Sequence, residues 1–295
     1  MDFASLRAFV QVAREGSFSL AGETLYLTQP AVSKRVASLE NELSVRLFDR
    51  VGRQVFLTEA GQQLLPRAEQ ILQEMADIQR ELSNLSGEIS GQLIMGTSHH
   101  IGLHRLPPVL RRFTDCYPKV ALDIRFMESE KACQAVEHSE LEMAVVTLPL
   151  NPIDTLDTQR IWHDPLCVAV GPDHDLAQQR TISASQLIEY PAVLPTKGTY
   201  TRTLLEQSIK QLQLEVDCTL ATDYLETLKM MTNIGLGWSL LPEIFLEGGE
   251  IRKIEVPELQ LNRSLGIVTH RKRTLSNAAN AMRQQLLAHG DHSVG

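Results

Sequence analysis

The sequence predicts an α/β protein with a helix-rich amino-terminal domain, and three patterns support this prediction. Amphipathic helices and one short hairpin pattern occupy residues 1–58. A heptad repeat of apolar residues follows, which is typical of a long helix that packs along another helix. After Gly91, buried strands alternate with helices, as they do in α/β domains. A chain of 295 residues is long enough for two or three domains.

Composition and charge limit the classes of function. The net charge of −8 argues against non-specific binding of polyanions by the whole chain, but it does not exclude a local DNA-binding surface. No apolar run reaches the roughly 18 residues that a membrane span requires. The first residues do not form a signal peptide, because Asp2 is acidic and Arg7 and Arg14 interrupt any apolar segment. We therefore expect a cytoplasmic protein with no membrane partner.

The cysteines favour neither a zinc site nor a disulfide framework, because they are widely spaced and form no CxxC pair. They are Cys116, Cys133, Cys167 and Cys218. Reduced structural thiols are the simplest interpretation, and redox sensing by one of them is the alternative.

Short helices are predicted at the start of the chain. Apolar residues at helical spacing predict a first helix over 3–15, which Gly16 ends. A second helix is predicted over about 20–26. Thr28 is then a suitable N-cap for a third helix, and Pro30 lies in its first turn, where the missing N–H costs nothing.

The third helix is a candidate DNA-recognition helix. A short helix, a tight turn and a capped helix with outward polar residues fit a helix-turn-helix. Gln and Ser side chains can hydrogen-bond base edges, and Lys and Arg can reach guanine or phosphate. Arginines in the following hairpin can hold phosphates or enter a minor groove. The candidate DNA-binding residues are Thr28, Gln29, Pro30, Ser33, Lys34, Arg35, Arg50 and Arg53. The alternative is an ordinary helical subdomain with a solvated polar face.

A long helix is predicted after the hairpin. Its apolar residues alternate by four and three positions over three heptads, which predicts a seam that packs on another helix. The seam residues are Leu64, Ala68, Ile71, Met75, Ile78, Leu82 and Leu85. Pro66 is expected to kink the early part of this helix. The composition of SNLSGEISG (83–91) is typical of a hinge.

The rest of the chain alternates between strands and helices. Strands are predicted near 92–98, 120–126, 141–148, 159–163, 166–171, 192–195, 216–221, 236–241 and 265–270. Helices are predicted near 103–116, 130–139, 183–189, 199–211, 224–233 and 275–289. This alternation predicts parallel sheets built from βαβ units.

Long ordered motifs resemble those of the LysR-type transcriptional regulators, a family of bacterial DNA-binding proteins. The winged helix-turn-helix and linker helix of that family resemble SFSLAGETLYLTQPAVSKRVASLE, LFDR and LTEAG in this sequence. Its effector domain resembles GTSHHIGLHRLPPVLRRF and GLGWSLLP (235–242). One departure is Ala21-Gly22, where the family commonly has two alanines. Gly22 lowers helix propensity but is not expected to prevent docking on DNA.

The resemblance implies a domain organisation and a set of partners. A winged helix-turn-helix would occupy 1–58, a linker helix and hinge 59–91, and an effector-binding domain 92–295. The latter would resemble periplasmic binding proteins, with lobe 1 over 92–161 and 268–295 and lobe 2 over 162–267, joined by two crossover strands. Linker helices would pair between subunits in a homodimer or homotetramer. The implied partners are double-stranded promoter DNA and a small-molecule effector, with RNA polymerase as a further candidate.

Polar residues at strand ends and helix starts form a candidate effector site. Ligands bind at the carboxyl ends of strands in open α/β sheets, and helix N-termini with hydroxyls favour an anionic group. The candidate effector-binding residues are Thr97, Ser98, His99, His100, Glu128, Thr147, Thr196, Thr199, Thr201 and Arg202. Glu128 would suit an amine or hydroxyl of the effector. The alternative for each Ser or Thr is a helix cap. Adjacent histidines on a helix do not face each other, so no metal or other cofactor is predicted.

A second class of function must be weighed against regulation. The α/β half alone would suit an enzyme or a secreted solute-binding protein. However, the sequence has no GxSxG, no P-loop, no GxGxxG after a strand and no spacing typical of metal ligands. A secreted binding protein would need a signal peptide. The sequence therefore predicts a regulator and no catalytic residues.

Overall fold

A computed structural model of the protein describes residues 2–51, 54–85 and 87–291. The chain forms two compact units, Met1–Ser86 and Gly87–Gly295. Arg53, one of the predicted phosphate contacts, lies outside the described residues.

The first unit contains a three-helix cluster, a hairpin and a long helix. In chain order the elements are α1 (Phe3–Glu15), α2 (Phe18–Leu25), α3 (Gln29–Leu43), β1 (Phe48–Val51), β2 (Gln54–Leu57) and α4 (Glu59–Asn84). Gly16 ends α1 in the left-handed conformation, and the Thr28 hydroxyl accepts a hydrogen bond from the N–H of Ala31. The predicted end of the first helix and the predicted cap of the third are therefore confirmed.

Two glycines permit close approaches between the elements of this unit. A Cβ atom on Gly22 would lie 2.8 Å from the carbonyl oxygen of Leu27, in the turn before α3. A Cβ atom on Gly61 would overlap the carbonyl oxygen of Leu47, just before β1. Any larger residue would force these backbones apart, because the glycine is what allows them to approach so closely. Gly22 therefore suits the tight turn of this particular helix-turn-helix.

The hairpin is fixed to α3 by one carboxylate. Glu40 of α3 accepts hydrogen bonds from the N–H groups of Leu47, at 2.7 Å, and Phe48, at 3.3 Å. The hairpin is antiparallel, with Phe48 opposite Leu57. Because the carboxylate satisfies two backbone donors at the start of β1, it sets the position of the hairpin relative to α3.

The long helix α4 has two different surroundings along its length. Its first turns pack on the core of α1–α3 through Leu64, Ala68 and Leu72. Further along, Ile78 and Leu82 are 48% and 63% exposed. The seam predicted from the heptad pattern therefore leaves this domain's own core and continues into a surface that the described residues of the unit leave exposed.

The second unit is an α/β domain. Its strands are β3 (Gly91–Thr97), β4 (Val120–Phe126), β5 (Met143–Thr147), β6 (Leu156–Val170), β7 (Ala192–Leu194), β8 (Cys218–Ala221), β9 (Ser239–Pro242), β10 (Arg252–Ile254) and β11 (Leu261–His270). Its helices are α5 (His99–His104), α6 (Pro107–Cys116), α7 (Ser129–Glu137), α8 (Ala184–Leu187), α9 (Tyr200–Gln211), α10 (Leu225–Asn233) and α11 (Asn277–Ala288), with 3₁₀ turns at Asp175–Gln178 and Glu243–Leu246.

Two long strands connect the lobes of this domain. The order of paired strands is β10-β6-β11-β5-β3-β4, and β9 also pairs with β6. β6 and β11 pair with each other from Leu156↔His270 to Leu166↔Leu261, and therefore run through both lobes. Lobe 1 is built on β3, β4 and β5 with the adjoining ends of these strands. Lobe 2 is built on β9, β10 and the other end of β6, with β7 and β8 beside them.

The prediction of parallel sheets is correct for only part of the main sheet. β3 is parallel to β4 and β5, but β11 is antiparallel to both β5 and β6. The strands predicted separately near 159–163 and 166–171 are one strand, β6. Asp164-Pro165 has the composition of a chain break, but pairing with β11 keeps the chain extended through it. The chain closes the domain by returning along β11, and this return is what makes the sheet mixed.

Two more differences between the predicted and the observed elements are local. The single helix predicted near 103–116 is divided into α5 and α6, and Pro107 begins the second of them, where its missing N–H leaves no helical hydrogen bond unmade. β10 was not predicted, because its three residues are too short a pattern to recognise. Within the described ranges, no helix is both long and apolar enough to span a membrane.

Candidate DNA-binding surface and effector cavity

The third helix has one buried face and one exposed face. Val32, Val36 and Leu39 are buried against α1 and α2. Of the predicted DNA-binding residues, the exposed ones are Thr28, Gln29, Pro30 and Lys34, and the half-buried ones are Ser33 and Arg35. The polar side chains near the start of α3 therefore lie together on a surface that the core does not use. Arg50 lies on β1, opposite Val55.

A tyrosine that the sequence analysis did not single out lies beside this surface. Tyr26 is 96% exposed and ends α2 in the left-handed conformation. An aromatic ring this exposed, in the turn just before α3, is available for contact with a sugar or phosphate. The signal in the sequence was weak, because a tyrosine at the end of a short helix is more often part of a core.

A cavity of about 300 Å³ lies between the two lobes of the α/β domain. Its walls come from the carboxyl ends of β3, β4 and β5 and from the starts of α5, α7, α9 and α10. It is lined by Ser98, His99, His100, Phe126, Met127, Glu128, Ser129, Glu130, Lys131, Thr147, Pro195, Thr199, Tyr200, Thr201, Asp223, Tyr224, Leu225 and Arg263. The structure thus brings polar residues from distant parts of the chain to the lobe interface.

Most of the predicted effector residues line this cavity, and three do not. Those on its walls are Ser98, His99, His100, Glu128, Thr147, Thr199 and Thr201. Thr97 is buried behind the wall, where its hydroxyl donates to the carbonyl of Val145 at 2.8 Å. Thr196 is in the loop before α9, with its N–H bonded to Asp223 at 2.9 Å. Arg202 faces away from the cavity, because consecutive residues on a helix point in different directions.

Arg263, a residue that the sequence analysis missed, organises the floor of the cavity. It is buried on β11 and forms an ion pair with buried Asp164 at 2.7 Å. Its guanidinium also donates to the hydroxyl of Thr201 at 3.0 Å and contacts Nε2 of His100 at 3.0 Å. Arg105 lies 3.6 Å from the second oxygen of Asp164. An arginine in the middle of a strand gives no sequence signal, since its partners come from three other elements.

The donor properties of Arg263 fix the orientation of its neighbours. Burial, together with the charges of Arg263, His104 and Arg105, holds the pKa of His100 well below its usual value. The imidazole is therefore neutral. Because a guanidinium only donates, Nε2 of His100 must accept, and the ring proton is on Nδ1. Nδ1 lies 3.3 Å from the Ser98 hydroxyl oxygen, which accepts a hydrogen bond from this N–H. The hydroxyl groups of Ser98 and Thr201 each accept a hydrogen bond in this arrangement, so each keeps its own proton to donate.

Acidic groups also line the cavity. Glu128 pairs with Lys131 at 2.9 Å. The carboxylate of Glu130 accepts a hydrogen bond from the N–H of Tyr200, the first residue of α9 in the other lobe. Burial raises the pKa of Glu130, and the neighbouring carboxylates of Asp223 and Glu128 act in the same direction. Glu130 thus connects lobe 1 to the helix start of lobe 2.

Further contacts connect the lobes around the cavity. Nε2 of His104 lies 3.0 Å from a carboxylate oxygen of Glu226, and its ring packs edge-on against Phe245 at 5.2 Å. The ring of His99 packs edge-on against Tyr224 at 4.9 Å. Among the described residues, no group of three or more His, Cys, Asp or Glu side chains is arranged to hold a metal ion. The two adjacent histidines therefore serve separate contacts.

A winged helix-turn-helix followed by a two-lobed α/β domain with an internal cavity defines a class of ligand-responsive DNA-binding proteins. Comparison with known proteins identifies the family. Residues 3–62 match the bacterial regulatory helix-turn-helix domain of the lysR family, and residues 86–291 match the LysR substrate binding domain. The chain belongs to the LysR family of transcriptional regulators, and is a DNA-binding regulator with an effector-binding domain rather than an enzyme.

Individual relatives agree with this assignment. The chain is 67% identical over 108 residues to an HTH-type transcriptional regulator in the ibpB-leuC intergenic region of Azotobacter vinelandii, covering 37% of this chain and 75% of that protein. It is 29% identical over 292 residues to the RuBisCO operon transcriptional regulator of Allochromatium vinosum, covering 98% of this chain and 96% of that protein. Full-length OxyR from Pseudomonas aeruginosa, a single-residue variant, shares the fold with a TM-score of 0.72 and 21% identity, covering 100% of this chain and 99% of that one.

Proposed function

We propose that the regulator is switched by a small effector that carries an acidic group and binds in the cavity between the lobes. The observation that supports this most directly is the donor network of Arg263. It leaves the hydroxyl protons of Ser98 and Thr201 as donors beside a buried cation. A carboxylate or similar anion would accept both hydrogen bonds, which are stronger when the acceptor is charged.

Helix capping is the alternative role for each candidate hydroxyl, and Ser98 and Thr199 differ in this respect. Ser98 precedes α5, but its side chain makes no capping hydrogen bond. The hydroxyl of Thr199 caps α9 by accepting from the N–H of Arg202, and donates to the carbonyl of Thr196 at 2.9 Å. Ser98 therefore has hydrogen-bonding capacity for an effector, whereas that of Thr199 is already used by the fold.

The acidic residues of the cavity support a second feature of the effector. Glu128, Glu130 and Asp223 line the cavity, and Lys131 pairs with Glu128. An amine or hydroxyl on the effector would donate to these carboxylates. An effector that contacts both lobes would bind the closed arrangement better than the open one, and only such a difference can shift the population of states.

The acidic group can be tested without knowing the effector. Thermal shift of the full-length protein with a panel of small carboxylates, each paired with its uncharged amide, should give stabilisation by one or more carboxylates and none by the matched amides. Ligand binding to the folded state raises the melting temperature according to its affinity. Stabilisation by amides alone would exclude an acidic group on the effector.

Loss of the Ser98 hydroxyl should weaken effector binding. We expect Ser98→Ala to raise the dissociation constant of an active carboxylate about tenfold or more, because hydrogen bonds to charged groups contribute about 1.5–3 kcal/mol. The matched variant Thr199→Ala should instead lower the free energy of unfolding by about 1 kcal/mol through loss of a cap. Calorimetric titration and urea denaturation of both variants measure these effects. An unchanged dissociation constant in Ser98→Ala would contradict the assignment of the donor network.

The exposed start of α3 is proposed to contact bases of promoter DNA. We expect Gln29→Ala to lose about 1–3 kcal/mol of discrimination between the operator and random DNA, the usual contribution of a bidentate base contact. Asn41→Ala is the matched control, because it removes an exposed amide from the other end of the same helix. Fluorescence anisotropy with both DNAs provides the measurement. Equal operator-to-random ratios in Gln29→Ala and the unmodified protein would place base recognition elsewhere.

The last part of the proposal concerns the pairing of subunits through α4. The apolar residues left exposed on α4 need a partner, and the heptad spacing suits a second copy of the same helix. We infer a homodimer through α4, or a homotetramer if the effector domains also pair. Two recognition helices could then reach two half-sites of promoter DNA in the cytoplasm. Effector binding would alter the spacing of these units and, with it, the access of RNA polymerase.

A further inference from the structure

The first residue of α9 packs into the lobe to which it does not belong. Tyr200 is in lobe 2, but its side chain packs against an apolar cluster that α7, β5 and the adjoining ends of β6 and β11 form in lobe 1. Every other described residue of this cluster belongs to lobe 1. Further along the same helix, Leu205 and Ile209 are buried in the core of lobe 2. One helix is therefore packed into the cores of both lobes.

Two hydrogen bonds hold Tyr200 in this position. Its N–H donates to the carboxylate of Glu130, in the first turn of α7 in lobe 1. Its hydroxyl donates to the thiol of Cys133, about one turn further along α7. A carboxylate is a favourable acceptor at the start of α9, because the first N–H groups of a helix have no partner within it. The backbone and the side chain of Tyr200 are thus both bonded to α7.

An interlobe contact of a different kind provides a comparison. His104 and Glu226 approach each other at 3.0 Å, but their side chains are 37% and 41% exposed. Such pairs contribute little to stability, since water competes for both groups. The contacts of Tyr200 are more shielded, because its ring is half-buried and the thiol that it contacts is almost fully buried. We therefore expect the Tyr200 contacts to resist separation of the lobes more strongly than the His104 contact does.

We propose that Tyr200, Glu130 and Cys133 form an interlobe latch, which we call the α9 latch, and that it holds the lobes together in the absence of an effector. Separation of the lobes requires the ring of Tyr200 to leave the cluster of lobe 1 and its N–H to leave Glu130. The next residue, Thr201, lines the cavity, so an occupant of the cavity contacts the helix that carries the latch. The α9 latch thereby connects occupancy of the cavity with the arrangement of the lobes, whatever the chemistry of the effector.

Cys133 reports release of the α9 latch. It is 2% exposed, and burial raises the pKa of its thiol to about 11. The thiolate is the reactive form, so alkylation of Cys133 requires an opening that uncovers it. Cys167 is a buried reference thiol on β6 and donates to the carbonyl of Leu241. Because β6 runs through both lobes, alkylation of Cys167 reports unfolding of the domain rather than separation of its lobes.

Alkylation of the full-length protein with N-ethylmaleimide, followed by mass spectrometry of its peptides, tests the proposal. Glu130→Ala should accelerate alkylation of Cys133 about tenfold or more, because it removes a charged acceptor and leaves the ring that covers the thiol. Glu130→Gln removes the same charge but keeps an acceptor, and should accelerate it only about threefold. Glu226→Ala breaks the exposed interlobe pair and should change the rate at most about twofold. The rate at Cys167 should be the same in all of these proteins.

Several results would overturn the proposal. They are an unchanged rate at Cys133 in Glu130→Ala, an equal acceleration at Cys167, equal rates in the two Glu130 variants, or an equal effect of Glu226→Ala. If Glu130→Ala does not fold, Glu130→Gln decides the question, because alkylation of Cys133 at the wild-type rate in that variant would show that the bond to Tyr200 does not hold the lobes. None of these outcomes depends on whether an acidic effector binds between the lobes.

Discussion

Replacement of Arg263 by methionine is expected to lower the free energy of unfolding by about 3–5 kcal/mol, as removal of one partner of a buried ion pair generally does. Asp164 is only 3% exposed and would be left with Arg105, 3.6 Å away, as its partner. Thr201 and His100 would lose a donor at the same time. Urea denaturation at neutral pH measures the change.

Two controls define the origin of this effect. Arg271, the residue after the end of β11, pairs with Asp157 at 2.9 Å, but both side chains are at least half exposed. Arg271→Met should therefore cost at most about 1 kcal/mol. The double variant Arg263→Met with Asp164→Leu should recover much of the lost stability, because no charge is then left buried without a partner. Equal losses in Arg263→Met and Arg271→Met would show that burial of the Arg263 pair is not what stabilises the domain.

Introduction of a charge into the exposed seam of α4 should abolish tight operator binding. We expect Ile78→Asp to give a protein whose mass in solution is that of one chain, because each subunit would bring a charged aspartate into the apolar seam. Loss of the second helix-turn-helix removes the gain from simultaneous binding, which is about 10²–10⁴-fold in affinity. Light scattering measures the mass, and anisotropy with a two-half-site operator measures the affinity.

A matched variant distinguishes disruption of the seam from a change in surface charge. Gln70→Asp adds the same charge at an exposed position of α4 that is outside the heptad seam. It should leave both the oligomeric state and the operator affinity nearly unchanged. A protein that remains oligomeric with Ile78→Asp would show that α4 does not form the interface.

Local sequence signals determined the amino-terminal unit well. Gly16, Thr28 and the hairpin around Arg50 act over a few residues, so their effects are visible in the sequence. The polar face of α3 is also a local property, because the apolar residues at helical spacing fix which side is buried. The family resemblance rests on this same region and is confirmed by the matching family domains.

The cavity between the lobes was only partly accessible from the sequence. Strand ends can be located from local patterns, and the three residues found in this way, Ser98, Glu128 and Thr147, all line the cavity. The direction of a side chain after a helix start depends on the rotation of that helix. For this reason Thr201 faces the cavity and its neighbour Arg202 faces the opposite way.

The sequence by itself determined the helix-turn-helix, the seam of α4, the alternation of strands and helices, and the family, because all of these depend on residues near one another in the chain. The tertiary structure alone decided that β6 is one strand, that the sheet is mixed, and that Arg263 joins His100, Asp164 and Thr201. These features depend on pairs of residues that are from 62 to 163 positions apart. Such contacts form only when the chain returns along β11, and no local pattern of residues specifies where that return places a buried charge.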